Sequence, residues 1–188
     1  MAFNWMFMKK FQKFFIVLSI FINFLPAVNA QYCIPQYTNQ CASNDLINNF
    51  TFSNISNLNT GCNGDSNSYS YVNLTGNVTR GSTYAITIQS GTYGQGFGVW
   101  IDYNQDGDFA DTLEFAYASP TSSTALQTGS VKIPGSVLTG TTRLRVRSRY
   151  NATVTDTQYC SNFTYGETED YKLFISDPNS PPIADFKS

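Results

Sequence analysis

The residues best placed to do chemistry lie in the run Asp102-Tyr103-Asn104-Gln105-Asp106-Gly107-Asp108, continued by Asp111 and Glu114. Side-chain oxygens occupy positions 1, 3, 5 and 7 of this run, and glycine occupies position 6, where a sharp turn needs it. Alternate oxygens on a tight loop converge on one point, as a hard cation taking about six to eight oxygen ligands requires. The EF-hand pattern wants a bidentate Glu at about position 12. Here Leu113 holds position 12 and Glu114 position 13, and the preceding residues, Phe97 to Ile101, are strand-like. The reading is a calcium loop in a β context, with one Ca²⁺. Asp102, Asn104 and Asp106 are expected to give side-chain oxygens. Asp108 is expected to give its carboxylate or its carbonyl, with Glu114 closing the shell. Mg²⁺ fits less well because it keeps more of its water. The competing reading is an Asn/Asp/Gly turn that binds nothing.

A second acidic run, Gly166-Glu167-Thr168-Glu169-Asp170-Tyr171, places three carboxylates in four residues. Such groups repel one another unless they are solvated, paired or neutralised by a cation. Glu167 and Glu169 are therefore further candidate ligands of the same ion, or partners for arginines. Arg143, Arg145, Arg147 and Arg149 alternate with Leu144, Val146, Ser148 and Tyr150, which puts the arginines on one face of one strand. An apolar interior would demand a carboxylate for each guanidinium. The expectation is thus Leu144 and Val146 inward, and all four arginines outward or towards Glu167 and Glu169. Such a ladder is either a solvated face or a platform for an acidic ligand, such as a uronic-acid glycan or a partner's carboxylate.

Composition removes whole classes of function. The sequence has no histidine, so imidazole general acid–base chemistry, Ser–His–Asp and Cys–His catalysis and His-ligated metals are excluded. Of the 11 basic residues, Lys9, Lys10 and Lys13 lie at the very start, leaving 8 against 13 acidic residues. No cationic surface remains to hold a nucleic acid. A glycoside hydrolase needs two carboxylates about 5–9.5 Å apart across a cleft, and its only stock here is Glu114, Glu167, Glu169 and Asp170.

The elements that must position these residues read as strands. Short β-branched and aromatic runs cover Ile47 to Ile55, Tyr69 to Leu74, Tyr84 to Gln89, Phe97 to Tyr103, Glu114 to Ala118, Thr128 to Ile133, Thr142 to Tyr150 and Asp170 to Ser176. Gly, Asn, Asp and Ser separate them. About eight strands with no amphipathic helix predict an all-β antiparallel β-sandwich or jelly roll over residues 31–176. Residues 1–30 read as a secretory signal peptide: a lysine-rich start, an apolar run from Phe14 to Leu25, and Val28 and Ala30 at cleavage spacing. The apolar run is too short for a membrane span of roughly 20 residues. The chain is therefore expected to be secreted or at the cell surface. In that compartment Cys33, Cys41, Cys62 and Cys160 favour two disulfides. Three connectivities are possible. Cys33–Cys160 would tie the two ends of the sandwich together, and Cys41–Cys62 would close the first strand region.

Tyr32-Cys33, the run Trp100-Ile101-Asp102-Tyr103-Asn104-Gln105-Asp106-Gly107, Arg143-Leu144-Arg145-Val146-Arg147, Cys160 and Gly166-Glu167-Thr168-Glu169-Asp170-Tyr171 occur in that order. Together they resemble the GEVED domain, with Thr168 where the signature has Val. The resemblance implies a β-rich, non-catalytic accessory module of a larger exported protein of Bacteroidota type. Its partners would be an extracellular glycan or protein and downstream domains of the same polypeptide. Residues 177–188 read as a Pro-rich linker. Within it, Pro181-Pro182-Ile183-Ala184-Asp185-Phe186 resembles the opening of a PKD-like domain; a frayed tail is the alternative.

Overall fold

A computed structural model describes residues 31–41, 43–62 and 67–179. The leader at 1–30 and residues 180–188 of the Pro-rich tail lie outside the described residues. Among the described residues there are nine strands: β1 (Ile47–Phe52), β2 (Ile55–Leu58), β3 (Tyr69–Thr79), β4 (Thr83–Ser90), β5 (Gln95–Ile101), β6 (Phe115–Ala118), β7 (Gln127–Lys132), β8 (Gly140–Tyr150) and β9 (Thr168–Ser176). The ninth arises because the run read as one strand over 47–55 is a tight hairpin. It turns between Phe52 and Ile55, with Ser53 at φ 53°.

The strands form two sheets, ordered β2-β1-β4-β7 and β3-β9-β8-β5-β6. Every pairing is antiparallel except β3 with β9, which run parallel. Between the sheets lies the main core, with Phe50, Ile86 and Ile88 facing Phe97, Val99, Leu144, Val146, Leu173 and Ile175. Leu144 and Val146 have no exposed surface, so β8 has the expected register.

The outer face of the five-stranded sheet is not solvated. Residues 31–41 and 151–165 cover it, and a second apolar cluster of Trp100, Phe109 and Val154 forms beneath them with Tyr32, Phe115 and Tyr159. Cys33 is bonded to Cys160, joining the two covering segments, and Cys41 to Cys62. The segments also pair directly, with Thr38 N donating to Phe163 O (3.0 Å) and Asn39 N to Thr164 O (2.8 Å). Their approach to β5 requires glycine: a Cβ on Gly96 would lie 2.2 Å from the Ala152 carbonyl oxygen.

Two carboxylates sit inside the sandwich. Glu167 Oε2 accepts a hydrogen bond from Ile47 N (2.9 Å). Glu169 accepts from Asn57 Nδ2 (3.3 Å) and from the Tyr171 hydroxyl (2.5 Å). Burial, with the Glu167 charge beside it, pushes Glu169 from 4.5 up to about 8. Between those values the folded chain holds a proton that the unfolded chain has released, so stability falls as pH rises through that window.

Two outcomes follow. Gly96→Ala should cost about 1–3 kcal/mol, the range for overpacking a close contact, read as a lower urea midpoint with an unchanged m-value. Glu169→Gln keeps the hydrogen bonds of a protonated carboxyl without its titration. Its melting temperature should fall less steeply than that of the wild type between pH 5 and pH 8 (a range bracketed by the Glu169 values), the remaining slope coming from Glu114, which burial also pushes up, to about 7. At the upper end the variant should melt several degrees above the wild type.

Candidate functional site

The acidic run leaves the sheet at the end of β5 and is closed from below by two buried carboxylates. Asp102 N still donates to Arg143 O (3.1 Å), so the residue is held at the sheet edge. Its side chain accepts from Gln105 N (2.6 Å) and Gly107 N (3.2 Å), and the Tyr32 hydroxyl donates to it at short range. Burial and the Asp102 contact push the Tyr32 hydroxyl up, so it remains a donor. Glu114 accepts from Tyr103 N (3.1 Å) and Asp111 N (3.3 Å), which brings the end of the loop back to its start. Burial, with Asp102 and Asp111 nearby, pushes Glu114 up to about 7 against the backbone hydrogen bonds that oppose it.

Between these anchors the alternation seen in the sequence becomes a series of Asx turns. Asn104 Oδ1 accepts from Asp106 N (3.1 Å), Asp106 Oδ1 from Asp108 N (3.2 Å), and Asp108 Oδ1 from Ala110 N (2.8 Å). Gln105 at φ 59° and Gly107 at φ 95° supply the left-handed steps. The result gathers Asp106, Asp108 and Asp111, whose carboxylate oxygens lie within 4.8 Å of one another. Asn104 Nδ2 donates to both Asp106 (3.0 Å) and Asp111 (2.7 Å). Three carboxylates so close repel one another, and a divalent cation with oxygen ligands relieves the repulsion. A recess of about 510 Å³ opens beside them, walled by Tyr103, Leu113, Val137 and Leu138.

Asp111 had no assigned role in the sequence reading. It falls outside the alternation, and only the fold-back through Glu114 returns it to the cluster. Asp102 and Glu114 have no more than 1% exposure and hold backbone rather than standing open in the cluster. Glu167 and Glu169 do not join the loop. The strand period turns both into the space between the sheets, where Ile47 N, Asn57 and Tyr171 engage them.

The arginine ladder also needs correction. Arg145 and Arg147 have no exposed surface, because the covering segments lie on that face. Neither turns to Glu167 or Glu169. Arg145 forms a bidentate pair with Asp170, Nε to Oδ1 at 2.7 Å and Nη2 to Oδ2 at 2.9 Å. Arg143 (3.2 Å) and the Tyr69 hydroxyl (3.0 Å) donate to the same carboxylate. Burial pushes Arg147 down from its ordinary value. It donates to the Thr168 hydroxyl (3.1 Å), Ser161 O (2.7 Å) and Gln158 O, and lies over the ring of Phe163 (4.3 Å). Thr168, standing where the signature has Val, thus supplies an acceptor. Arg143 is half-buried, stacked between Tyr32 (4.0 Å) and Tyr71 (4.9 Å). Arg149 remains partly open beside Phe163 (4.9 Å).

A comparison with curated proteins returned no match. Residues 96–174, from the second residue of β5 to the seventh of β9, match the GEVED domain family model, and the acidic loop, the arginine strand and the Gly166–Asp170 run all lie within the matched residues.

Proposed function

We propose that this chain is a non-catalytic, extracellular accessory module whose 102–114 loop binds one Ca²⁺ and is stabilised by it. The observation that carries the reading is the convergence of Asp106, Asp108 and Asp111 within 4.8 Å on a loop already shaped by its own Asx turns. Asn104 turns Nδ2 to the cluster and joins the ion's ligands only by rotating its amide to bring Oδ1 inward, while Asp102 and Glu114 hold the loop in shape. Bacteroidota-type export, with Cys33–Cys160 and Cys41–Cys62 formed in an oxidising compartment, is part of the same reading. Among the described residues no helix is long and apolar enough to cross a membrane. The carboxylates a glycosidase would need are engaged elsewhere: Glu114 on two backbone N–H groups, Glu167 on Ile47 N, Glu169 on Tyr171 and Asp170 on Arg145. That supports a binding or presenting role beside catalytic domains of the same polypeptide.

An extracellular site with Kd near ~10⁻⁴ M gains about 1.4 kcal/mol at roughly millimolar calcium. The melting temperature should then rise by roughly 3–6 °C over the value in excess chelator. Asp106→Ala and Asp111→Ala should each lose most of this rise, whereas Glu169→Gln should keep it. A wild-type melt that does not move with calcium makes the loop a turn and nothing more.

A further inference from the structure

We propose that the opposite end of the five-stranded sheet carries a carbohydrate-binding groove built on Tyr93, Tyr150 and Tyr165. This goes beyond the calcium reading and uses none of the loop's residues. The acidic loop leaves the sheet where Ile101 pairs with Leu144, and Tyr150 pairs with Gln95 at the far end. Six residues of strand separate Leu144 from Tyr150, roughly 20 Å at the rise of a β-strand.

The three rings form one aromatic cluster, Tyr93 and Tyr150 exposed and Tyr165 half-buried beside them. Tyr93 and Tyr150 are 47% and 43% exposed. Their ring centroids lie 6.1 Å apart, and those of Tyr150 and Tyr165 5.8 Å apart, both edge to face. Two recesses share Tyr150 and Tyr165 in their walls. One, about 450 Å³, is also lined by Arg149 and Asn162; the other, about 230 Å³, by Asp45 and Tyr93. Among the described residues Ala152 is the one aliphatic side chain lining either recess, and Phe163 lies beside it in the larger one.

The polar groups at this groove have bonding capacity left over. Asp45 is 3% exposed, and its carboxylate accepts a single hydrogen bond among the described residues, from Gln95 Nε2 (2.7 Å). Asn162 uses its carbonyl oxygen on Gln36 N (3.1 Å), and its amide N–H groups have no partner among the described residues. Arg149 reaches only Thr153 O (3.4 Å) and faces no carboxylate within ion-pair distance among the described residues.

The loops that carry these groups are fastened to one another. Tyr150 N donates to Tyr165 O (3.4 Å), and Asn151 N to Gly94 O (3.0 Å). Asn44 Nδ2 donates to Thr92 Oγ1 (3.2 Å). A groove held in place before binding loses little freedom on binding.

A sugar is the ligand that fits such a surface. Its ring offers an apolar C–H face to an aromatic side chain and a rim of hydroxyls that both donate and accept. Asp45 takes hydroxyl protons, Asn162 and Arg149 donate, and the tyrosines supply flat apolar area with a polar edge. A hydrophobic peptide would want aliphatic pockets, of which the described lining offers only Ala152, and a nucleic acid would want more than one cation. Arg149 adds a preference for sugars that carry a carboxylate.

The test is calorimetric titration of the mature chain with cellohexaose, xylohexaose and hexagalacturonate, each with calcium and with excess chelator. The expected result is saturable binding of at least one of them, strongest for the uronate, and unchanged by chelator. Tyr93→Ala and Tyr150→Ala should each weaken it about ten-fold or more, equivalent to about 1.4 kcal/mol, with the near-ultraviolet spectrum retained. Tyr93 lies on an exposed loop, so its variant decides the matter if Tyr150→Ala fails to fold. Absence of binding to all three at millimolar sugar overturns the proposal, as does full binding by Tyr93→Ala. Binding that vanishes in chelator moves the site to the calcium loop and also overturns it. The calcium reading itself stands or falls on the melts alone.

Discussion

The Arg145 guanidinium has no exposed surface, and the outer half of the domain is arranged around satisfying it. Its five N–H groups have five acceptors: both oxygens of Asp170, the Tyr159 carbonyl, and the carbonyl and sulfur of Cys33. Removing a buried cation from water costs several kcal/mol, regained only when the geometry is good and every donor is used. Two of the acceptor residues belong to the segments that cover the sheet, and Cys33 is bonded to Cys160, next to Tyr159. The ion pair and the covering layer are therefore coupled: the layer supplies three of the five acceptors, Asp170 supplies the other two, and a guanidinium left without either set is a buried charge with unused donors.

The acidic loop is joined to this arrangement by aromatic side chains. Arg143, the second arginine on Asp170, stacks on Tyr32 at 4.0 Å, and the Tyr32 hydroxyl holds Asp102 at the root of the loop. Phe109, from the middle of the loop, packs against Tyr32 (5.2 Å) and under Arg145 (4.8 Å). The Gly166–Asp170 run and the loop, far apart in sequence, thus fix each other's position. Alternate residues of that run divide the work between two layers: Thr168 and Asp170 hold arginines on the outer face, while Glu167 and Glu169 face the core.

Much of this was legible in the sequence because strand period is a local property. The alternation of Leu144 and Val146 with arginines gave the face of β8, and the run of oxygens from Asp102 to Asp108 gave the shape of a loop. What was not legible depended on non-local cover. A strand face lined with arginine reads as solvated unless one knows that residues 31–41 and 151–165 fold across it. Those segments have no periodicity to announce them. Their signals were indirect: the cysteines Cys33 and Cys160, one in each covering segment, and the tyrosines Tyr32 and Tyr37, which do not alternate with anything. Asp111 was missed for the same kind of reason. Its place in the acidic cluster depends on Glu114 capturing Tyr103 N eleven residues earlier in the chain, a closure that spacing alone does not reveal. The parallel pairing of β3 with β9 is likewise a matter of topology rather than local pattern.

The most direct test of this account is a double-mutant cycle at Arg145 and Asp170, read as unfolding free energy in urea. Asp170→Ala should cost about 3–5 kcal/mol by stranding a buried cation. Adding Arg145→Met, which removes that cation, should recover a large part of the loss, so that the double variant is more stable than Asp170→Ala alone. If Asp170→Ala costs less than about 1 kcal/mol, the range of a surface ion pair, or if the second change adds to the damage, then satisfying a buried Arg145 charge is not the constraint around which the outer layer is arranged.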